Sequence, residues 1–448
     1  MIVSSAFAGK RFAVLGLARS GQASVEALLA GGADVTVWDS REEPRGAYEG
    51  RCAVADPLAI DLTGFAGVVV SPGVPLNRHP IAAHAASFGV PVIGDIELFA
   101  LARADLPQHR VVGITGTNGK STTTMLVHHI CRAAGLEARL GGNIGLPVLG
   151  QEPLPAGGVY VLELSSYQID LTRSLDCDVA ALINLSPDHL DRYDGFAGYA
   201  ASKARLFTMQ DARHHAVFGC GDEHTLEIAR EASIGHAAGY VHVVQPDTLE
   251  GQAAWPSLQG PHNLQNAAIA VEIARQLGID ESVWRPALAS FVGLPHRMER
   301  VAEAGGVLFV NDSKATNAAS TAPALGAYPR IHWILGGLPK SDNLDECAPY
   351  FDHVVAAYTI GEAGPMFADI LEPVMPVTRS EMLCDAVRQA MDAAVPGDVV
   401  MLSPACASFD QFRDFEARGD AFRQIVDALI EDRDAPCPPQ SQEAGDAP

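Results

Sequence analysis

Short β-branched apolar runs recur along the chain, each followed by a glycine-rich turn and then by a segment whose apolar positions repeat at helical spacing. Phe12–Leu17 predicts a strand, Gln22–Ala30 a helix and Asp34–Trp38 the next strand, with Val68–Val70 continuing the alternation. A second block begins near Arg110: Val111-Val112 predicts a strand, Thr122–Cys131 a helix, Val159–Leu164 and Val179–Leu185 strands, and Asn263–Leu277 a long helix. A third repeats the theme with strands at Val307–Val310, His332–Leu335, Val354–Thr359 and Val399–Leu402 and a closing helix over Phe415–Ile430. This alternation predicts an α/β fold of open parallel sheets with helices on both faces. Boundaries are expected near Phe99 and Arg297, giving domains over 1–98, 99–297 and 298–432. The Pro-, Ser- and acid-rich stretch 433–448 predicts a disordered tail.

Composition narrows the class. At 448 residues, 48% hydrophobic, the chain exceeds one ordinary domain and can bury several cores. A net charge of −23 argues against a general affinity for nucleic acid or anionic membranes, so any anionic substrate must be held by local Lys, Arg and helix N-termini. The eight cysteines form no C-x-x-C pair, which disfavours a zinc site or a disulfide framework and fits a reducing cytosol. No apolar run reaches the roughly 18 residues a membrane span needs, and the N-terminus lacks the layout of a signal peptide. The expectation is a soluble cytoplasmic protein.

Parallel sheets place ligands at the carboxyl ends of their strands, and the informative residues cluster at those ends. Gly113-Ile114-Thr115-Gly116-Thr117-Asn118-Gly119-Lys120-Ser121 sits between a predicted strand and a predicted helix, the context of a phosphate-binding loop. Its glycines let backbone N–H groups converge on phosphate oxygens at a helix N-terminus. Lys120 would reach the terminal phosphates and Ser121 would ligate Mg²⁺. The strict Walker spacing wants Gly where Ile114 stands. Upstream, Gly16-Leu17-Ala18-Arg19-Ser20-Gly21 resembles a dinucleotide fingerprint with Ala18 in place of its second glycine, and Asp39 ends the next strand where a ribose-binding acid is expected. Ser71-Pro72-Gly73 turns at the same edge, and alone it is neutral.

Glu163 ends a strand where an acid could complete Mg²⁺ coordination opposite Ser121, or could simply be an exposed loop carboxylate. Asp188, His189 and Asp191 crowd a loop after another strand. Lys203, in a helix-like segment, reads by itself as a solvated lysine; burial near metals would instead let it react with CO₂ and become a carbamate ligand. Asn263 and Asn266 are either cap residues or amide readers of a base edge. In the third block, Asn311–Asn317, Gly336–Lys340 and Ser403–Asp410 each follow a strand. Together, with Lys314 and Lys340, they would suit a small, doubly anionic ligand, while any one of them alone could be N-cap chemistry.

Thr115–Ser121, including the departure at Ile114, resembles the ATP loop of the Mur ligases, and Gly16–Gly21, Ser71-Pro72-Gly73, Pro295-His296-Arg297, Asn311–Asn317 and Ser403–Phe412 are similar to that family as well. The likeness covers almost the whole chain except the tail. It implies a Rossmann-like N-terminal domain, a central P-loop ATPase-type domain and a Rossmann-like C-terminal domain. It further implies ATP-dependent amide ligation in peptidoglycan precursor synthesis by a monomer, with UDP-N-acetylmuramoyl-L-alanine and D-glutamate as substrates and no nucleic-acid or membrane partner. Carried over, Ser20, Asp39, Arg41 and Ser71 would line the uridine diphosphate site. Gly116, Thr117, Asn118, Gly119 and Lys120 would hold the phosphates, with Ser121 and Glu163 on one Mg²⁺. Asn143 and His189 would face the reacting carboxylate, and His189 with carbamoylated Lys203 would support a second Mg²⁺. Asn266, Arg297 and Asp312 would contact ATP, with Lys314 nearby. Thr316, Lys340, Ser408 and Phe415 would receive the amino acid. Phe409 and Leu338-Pro339 depart from the family pattern and bear on the shape of that last pocket.

Overall fold

The computed structural model describes residues 1–434, so the expected tail from 435 onward lies outside the described residues, while 433–434 close the last helix. The first sheet is built from β1 (Arg11–Leu15), α1 (Arg19–Ala30), β2 (Asp34–Trp38), α2 (Glu42–Gly46), β3 (Ala53–Val54), β4 (Phe65–Val70), α3 (Ile81–Ser87) and β5 (Val92–Ile93). Its strands are all parallel, in the order β3-β2-β1-β4-β5. After α4 (Asp95–Ala102), the second sheet's elements run β6 (His109–Thr115), α5 (Lys120–Ala133), β7 (Ala138–Gly142), β8 (Gly158–Glu163), α6 (Ser166–Asp170) and β9 (Val179–Leu182). They continue through α7 (Gly195–Thr208), β10 (His215–Gly219), α8 (Glu223–Gly235), β11 (Val241–Val244), α9 (Pro261–Gln276) and α10 (Glu281–Ser290). Again all neighbours are parallel, ordered β11-β10-β9-β6-β8-β7. In both sheets the chain runs to one side of a central strand, β1 or β6, and then to the other. That reversal opens a crevice at the carboxyl end of the strand.

The third sheet has β12 (Glu299–Ala304), β13 (Val307–Asn311), α11 (Ala318–Leu325), β14 (Ile331–Gly336), β15 (Val354–Ile360), α12 (Gly364–Leu371), β16 (Val377–Glu381), α13 (Leu383–Ala393), β17 (Val399–Leu402) and α14 (Phe415–Asp434). Its order is β12-β13-β17-β14-β15-β16, parallel except for the β12–β13 hairpin. The chain divides into two compact units: Met1–Leu258 with His262–Phe291, which holds the first two sheets, and Val292 onward with Gln259–Pro261, which holds the third.

Phe99, near which a boundary is expected, lies inside α4 and is fully buried. One continuous apolar core contains Phe12 and Val14 of the first sheet, Ile96 and Phe99 of α4, and Tyr160 and Leu162 of the second. Burying those rings favours a packed join over a solvated linker. The apolar pattern also overruns two strands: Leu17 and Leu185 lie beyond β1 and β9, in loops whose leucine side chains turn back into the interior and are buried. α1 and α9 begin earlier than predicted, because their polar first turns carry no apolar repeat. Among the described residues no helix is long and apolar enough to cross a membrane, and the seven described cysteines are free thiols.

Candidate active site

β6 ends at Thr115 and α5 opens at Lys120, so Gly116–Gly119 form the turn at the second sheet's crevice. Gly119 caps the helix at φ +82° with no side chain, and a Cβ there would lie 2.2 Å from Asn266 Oδ1. Only glycine allows both that backbone and that approach. The loop is held from behind: Thr117 N donates to Asn184 O at 2.9 Å, Asn118 N to Asn184 Oδ1 at 2.9 Å, and Ser186 N to Thr117 Oγ1 at 3.0 Å. Lys120 folds across it, its Nζ donating to Gly116 O at 2.9 Å and to Thr117 O at 2.7 Å. The result is an uncapped, positively poled helix N-terminus beside a lysine, which is an anion site. Asn263 and Asn266 lie in the first turns of α9 with Asn266 Nδ2 donating to Asn263 Oδ1 at 3.1 Å, so Asn266 sits against the loop and not at a cap position.

Glu163, at the end of β8, is buried, not an exposed loop acid. Its Oε1 accepts from Asn143 Nδ2 at 2.8 Å, while Oε2 is buried without a hydrogen-bond partner. An orphaned carboxylate oxygen costs free energy unless something satisfies it, and a cation does so best. Among the described residues no three His, Cys, Asp or Glu side chains gather into a metal cage. A cation here would take few protein oxygens and fill its shell with water and phosphate, the habit of Mg²⁺.

Lys203 departs most from its isolated reading as a solvated lysine. On α7 it is 1% exposed, its Nζ donating to Thr115 Oγ1 at 3.3 Å and lying 4.8 Å from the Tyr199 ring centre. Burial first, and the nearby Lys120 ammonium second, push its pKa well below the ordinary lysine value. Asp188 and His189 are half exposed and adjacent, His189 at φ +52° with its ring 5.2 Å from that of Tyr167. Lys120, Asn143, His189 and Lys203 all line one cleft of about 310 Å³, which also reaches Pro72 and Gly73 of the first sheet.

At the first sheet, Gly16 (φ +92°) and Gly21 permit a tight turn: a Cβ on Gly21 would sit 1.9 Å from Gly16 O. Ser71 Oγ donates to that same carbonyl at 2.9 Å. α1 again starts without a side-chain cap. Asp39 is buried beneath the turn, accepting from Leu17 N at 2.8 Å and from Arg41 N and Nε at 3.0 and 3.2 Å. Burial pushes its carboxyl upward, but these hydrogen bonds and the Arg41 guanidinium outweigh it and hold the acid below its usual range. Asp39 therefore shapes the turn, and Ser20 stands in the uncapped first turn of α1.

In the second unit, Asp312 ends up buried, accepting from Ser403 Oγ at 2.8 Å and Met298 N at 3.1 Å, with its pKa raised to about 7 by burial. Arg297 lies between His296 and Met298, which both adopt positive φ. Lys340 Nζ donates to Thr316 Oγ1 at 3.1 Å, so Leu338-Pro339 does not keep that lysine from its predicted neighbour; Leu338 pairs instead with Ala407. Lys314 Nζ lies 3.8 Å from the centre of the Phe415 ring, and Ser408 is buried. Phe409 projects outward, 69% exposed. Asn317 is a helix cap, forming a capping box with Ser320 on α11.

Some residues had no sequence signal. Arg418, on α14, is 1% exposed and donates to Ser313 Oγ and O, Cys406 O and Ala407 O at 2.9–3.2 Å, tying two strand-end loops together. In a helix of alternating charge it looks like any surface arginine. Ser165 and Gln168 form a capping box on α6, which the Ser-x-x-Gln spacing could have revealed.

Comparison with known proteins adds names to this geometry. Residues 10–94 match the family model "Mur ligase MurD-like, N-terminal domain", 114–274 the "Mur ligase middle domain" and 296–406 the "Mur ligase, glutamate ligase domain". The chain is 89% identical over 438 residues to the UDP-N-acetylmuramoylalanine–D-glutamate ligase of Novosphingobium aromaticivorans, covering 98% of this chain and 99% of that protein. It is 54% identical over 445 residues to the Zymomonas mobilis protein of the same name, covering 96% and 100%. Among solved structures, the UDP-N-acetylmuramate-alanine ligase of Thermotoga maritima superposes with a TM-score of 0.55 at 15% identity over 94% of this chain and 99% of that one, a likeness of fold.

Proposed function

Because the chain belongs to the family of UDP-N-acetylmuramoylalanine–D-glutamate ligases, we propose that it joins D-glutamate to UDP-N-acetylmuramoyl-L-alanine with cleavage of ATP. The observation that carries the reading is one cleft lined by the phosphate-loop Lys120, the buried Lys203 and Asn143, the partner of the half-satisfied Glu163 carboxylate.

A carboxylate is a poor electrophile and must be activated before an amine can attack it. The alanine carboxylate oxygen attacks the γ-phosphorus of ATP, the bond to the β–γ bridging oxygen breaks, and an acyl phosphate and ADP result. The uncapped N-terminus of α5 and Lys120 hold the phosphates and offset the charge that spreads over the transferring group. The amine of D-glutamate then attacks the acyl carbon, and phosphate leaves from the tetrahedral intermediate. Thr316, Lys340, Ser408 and Phe415 are proposed to receive the glutamate, with Lys340 and Lys314 supplying the positive charge that two carboxylates need. Ser20, Asp39, Arg41 and Ser71 are proposed at the uridine diphosphate end, and Asn266, Arg297 and Asp312 at ATP.

Ser121 and Glu163 are the residues proposed to hold Mg²⁺, which supplies charge neutralisation on the phosphates when bound. His189 and a carbamate of Lys203 are proposed at a second ion. Burial lowers the Lys203 pKa and so favours the uncharged amine, the form that can add to CO₂, losing a proton and gaining two oxygens in place of a cation.

A coupled ADP-release assay tests the proposal. Sustained ADP release, beyond one equivalent per enzyme, should require ATP, Mg²⁺, UDP-N-acetylmuramoyl-L-alanine and D-glutamate together. Equal release without either acceptor would defeat it.

A further inference from the structure

The loop between β9 and α7 carries His189 and Asp188 into the cleft, and it is tied to the segment after β4 by two side chains that the chemistry above leaves unused. Arg192 lines the cleft beside Lys120 and Lys203. Its Nη2 donates to Val74 O at 3.2 Å, the last carbonyl of the Ser71–Val74 turn, and its guanidinium carbon lies 4.3 Å from the centre of the Tyr167 ring. The same ring meets His189 at 5.2 Å and stacks on Tyr193 at 6.0 Å. Arg192 N also donates to His189 O at 2.9 Å, closing the turn that holds His189 at positive φ. One further bond crosses the same gap: Asn77 Nδ2 donates to Asp191 O at 2.9 Å.

These contacts share a geometry. A planar guanidinium can lie flat on an aromatic face and still direct an in-plane N–H at a carbonyl, which a lysine ammonium does poorly. Ser71, at the head of the gripped turn, bonds Gly16 O and so braces the loop at the uncapped start of α1. We propose that Arg192 is a positioning residue that clamps the Ser71–Val74 turn to the His189 loop, and thereby sets affinity for the nucleotide-sugar substrate while leaving ATP affinity alone. The affinity half of this inference rests on the ligase reading above; the clamp itself does not.

The test uses the full chain with Arg192→Ala, Arg192→Lys and Asn77→Ala. Hydrogen–deuterium exchange without substrate should show faster exchange over residues 71–77 in Arg192→Ala, and also in Asn77→Ala, which keeps the Tyr167 contact intact. In steady-state assays Arg192→Ala should raise the KM for UDP-N-acetylmuramoyl-L-alanine about tenfold, as losing a charge-assisted hydrogen bond and a cation–π contact implies. The KM for ATP should stay unchanged, and Arg192→Lys should recover only part of the loss. Unchanged exchange over 71–77 in Arg192→Ala overturns the clamp. Parallel rises in both KM values overturn the selective role and mark a general structural defect. A wild-type protein that fails to turn over the nucleotide sugar, with the exchange difference still present, removes the ligase reading and upholds the clamp.

Discussion

Asn143 and Glu163 share one hydrogen bond and leave another unmade: Asn143 Nδ2 donates to Glu163 Oε1 at 2.8 Å, while Oε2 of the same buried carboxylate has no partner. The amide fixes the carboxylate's rotation and aims its free oxygen. Glu163→Gln keeps the shape and removes the charge. It should lower turnover on the order of 10²-fold, as expected when the charge proposed to hold Mg²⁺ is lost. The thermal midpoint should change little, because a buried, half-satisfied anion is itself destabilising. Steady-state ADP release and a melting curve measured on the same sample check both halves.

Lys203 should leave a signature in stability as well as in activity. Its folded pKa lies well below the ordinary value of 10.5, so between those two values the unfolded chain binds more protons. Stability of the ligand-free protein should therefore rise with pH across that window. Lys203→Met should flatten the rise, visible as a difference between the two denaturation series. Lys203→Ala should be nearly inactive and partly rescued by short carboxylates; full activity without them would remove the carbamate role.

Gly119→Ala asks the phosphate loop to accept a Cβ at φ +82° and 2.2 Å from Asn266 Oδ1. The backbone term alone is about 1–2 kcal/mol, and the clash adds to it. ATP affinity measured by nucleotide titration should fall at least about tenfold, with the KM for D-glutamate unaffected.

Asp312 titrates in the opposite sense to Lys203. Burial raises its folded pKa to about 7 from an ordinary 3.8, so over that interval the folded chain binds more protons and stability falls as pH rises. Asp312→Asn retains a group able to accept from Ser403 Oγ and should remove this part of the pH slope. An unchanged slope between about pH 4 and 7 would show that Asp312 is not held in its neutral form there.

The elements and the chemistry of the phosphate loop were legible in the chain itself. A β-branched run, closely spaced glycines and Lys120-Ser121 are local features, and the conformations they favour are set within a few residues. The same holds for the parallel sheets, whose strands are apolar on both faces and so read as unbroken runs. What tertiary structure decided was environment. Lys203 sits on a helix like any other lysine until α7 packs it against Thr115 and Tyr199. Glu163 becomes an orphaned carboxylate only where β7 and β8 bring Asn143 beside it, and Arg418 becomes a buried tether only where α14 crosses the loops after β13 and β17. Helical or strand periodicity reports which face a residue is on, but desolvation and hydrogen-bond satisfaction depend on partners remote in the chain, and those set whether a charged side chain is solvated, paired or poised to react.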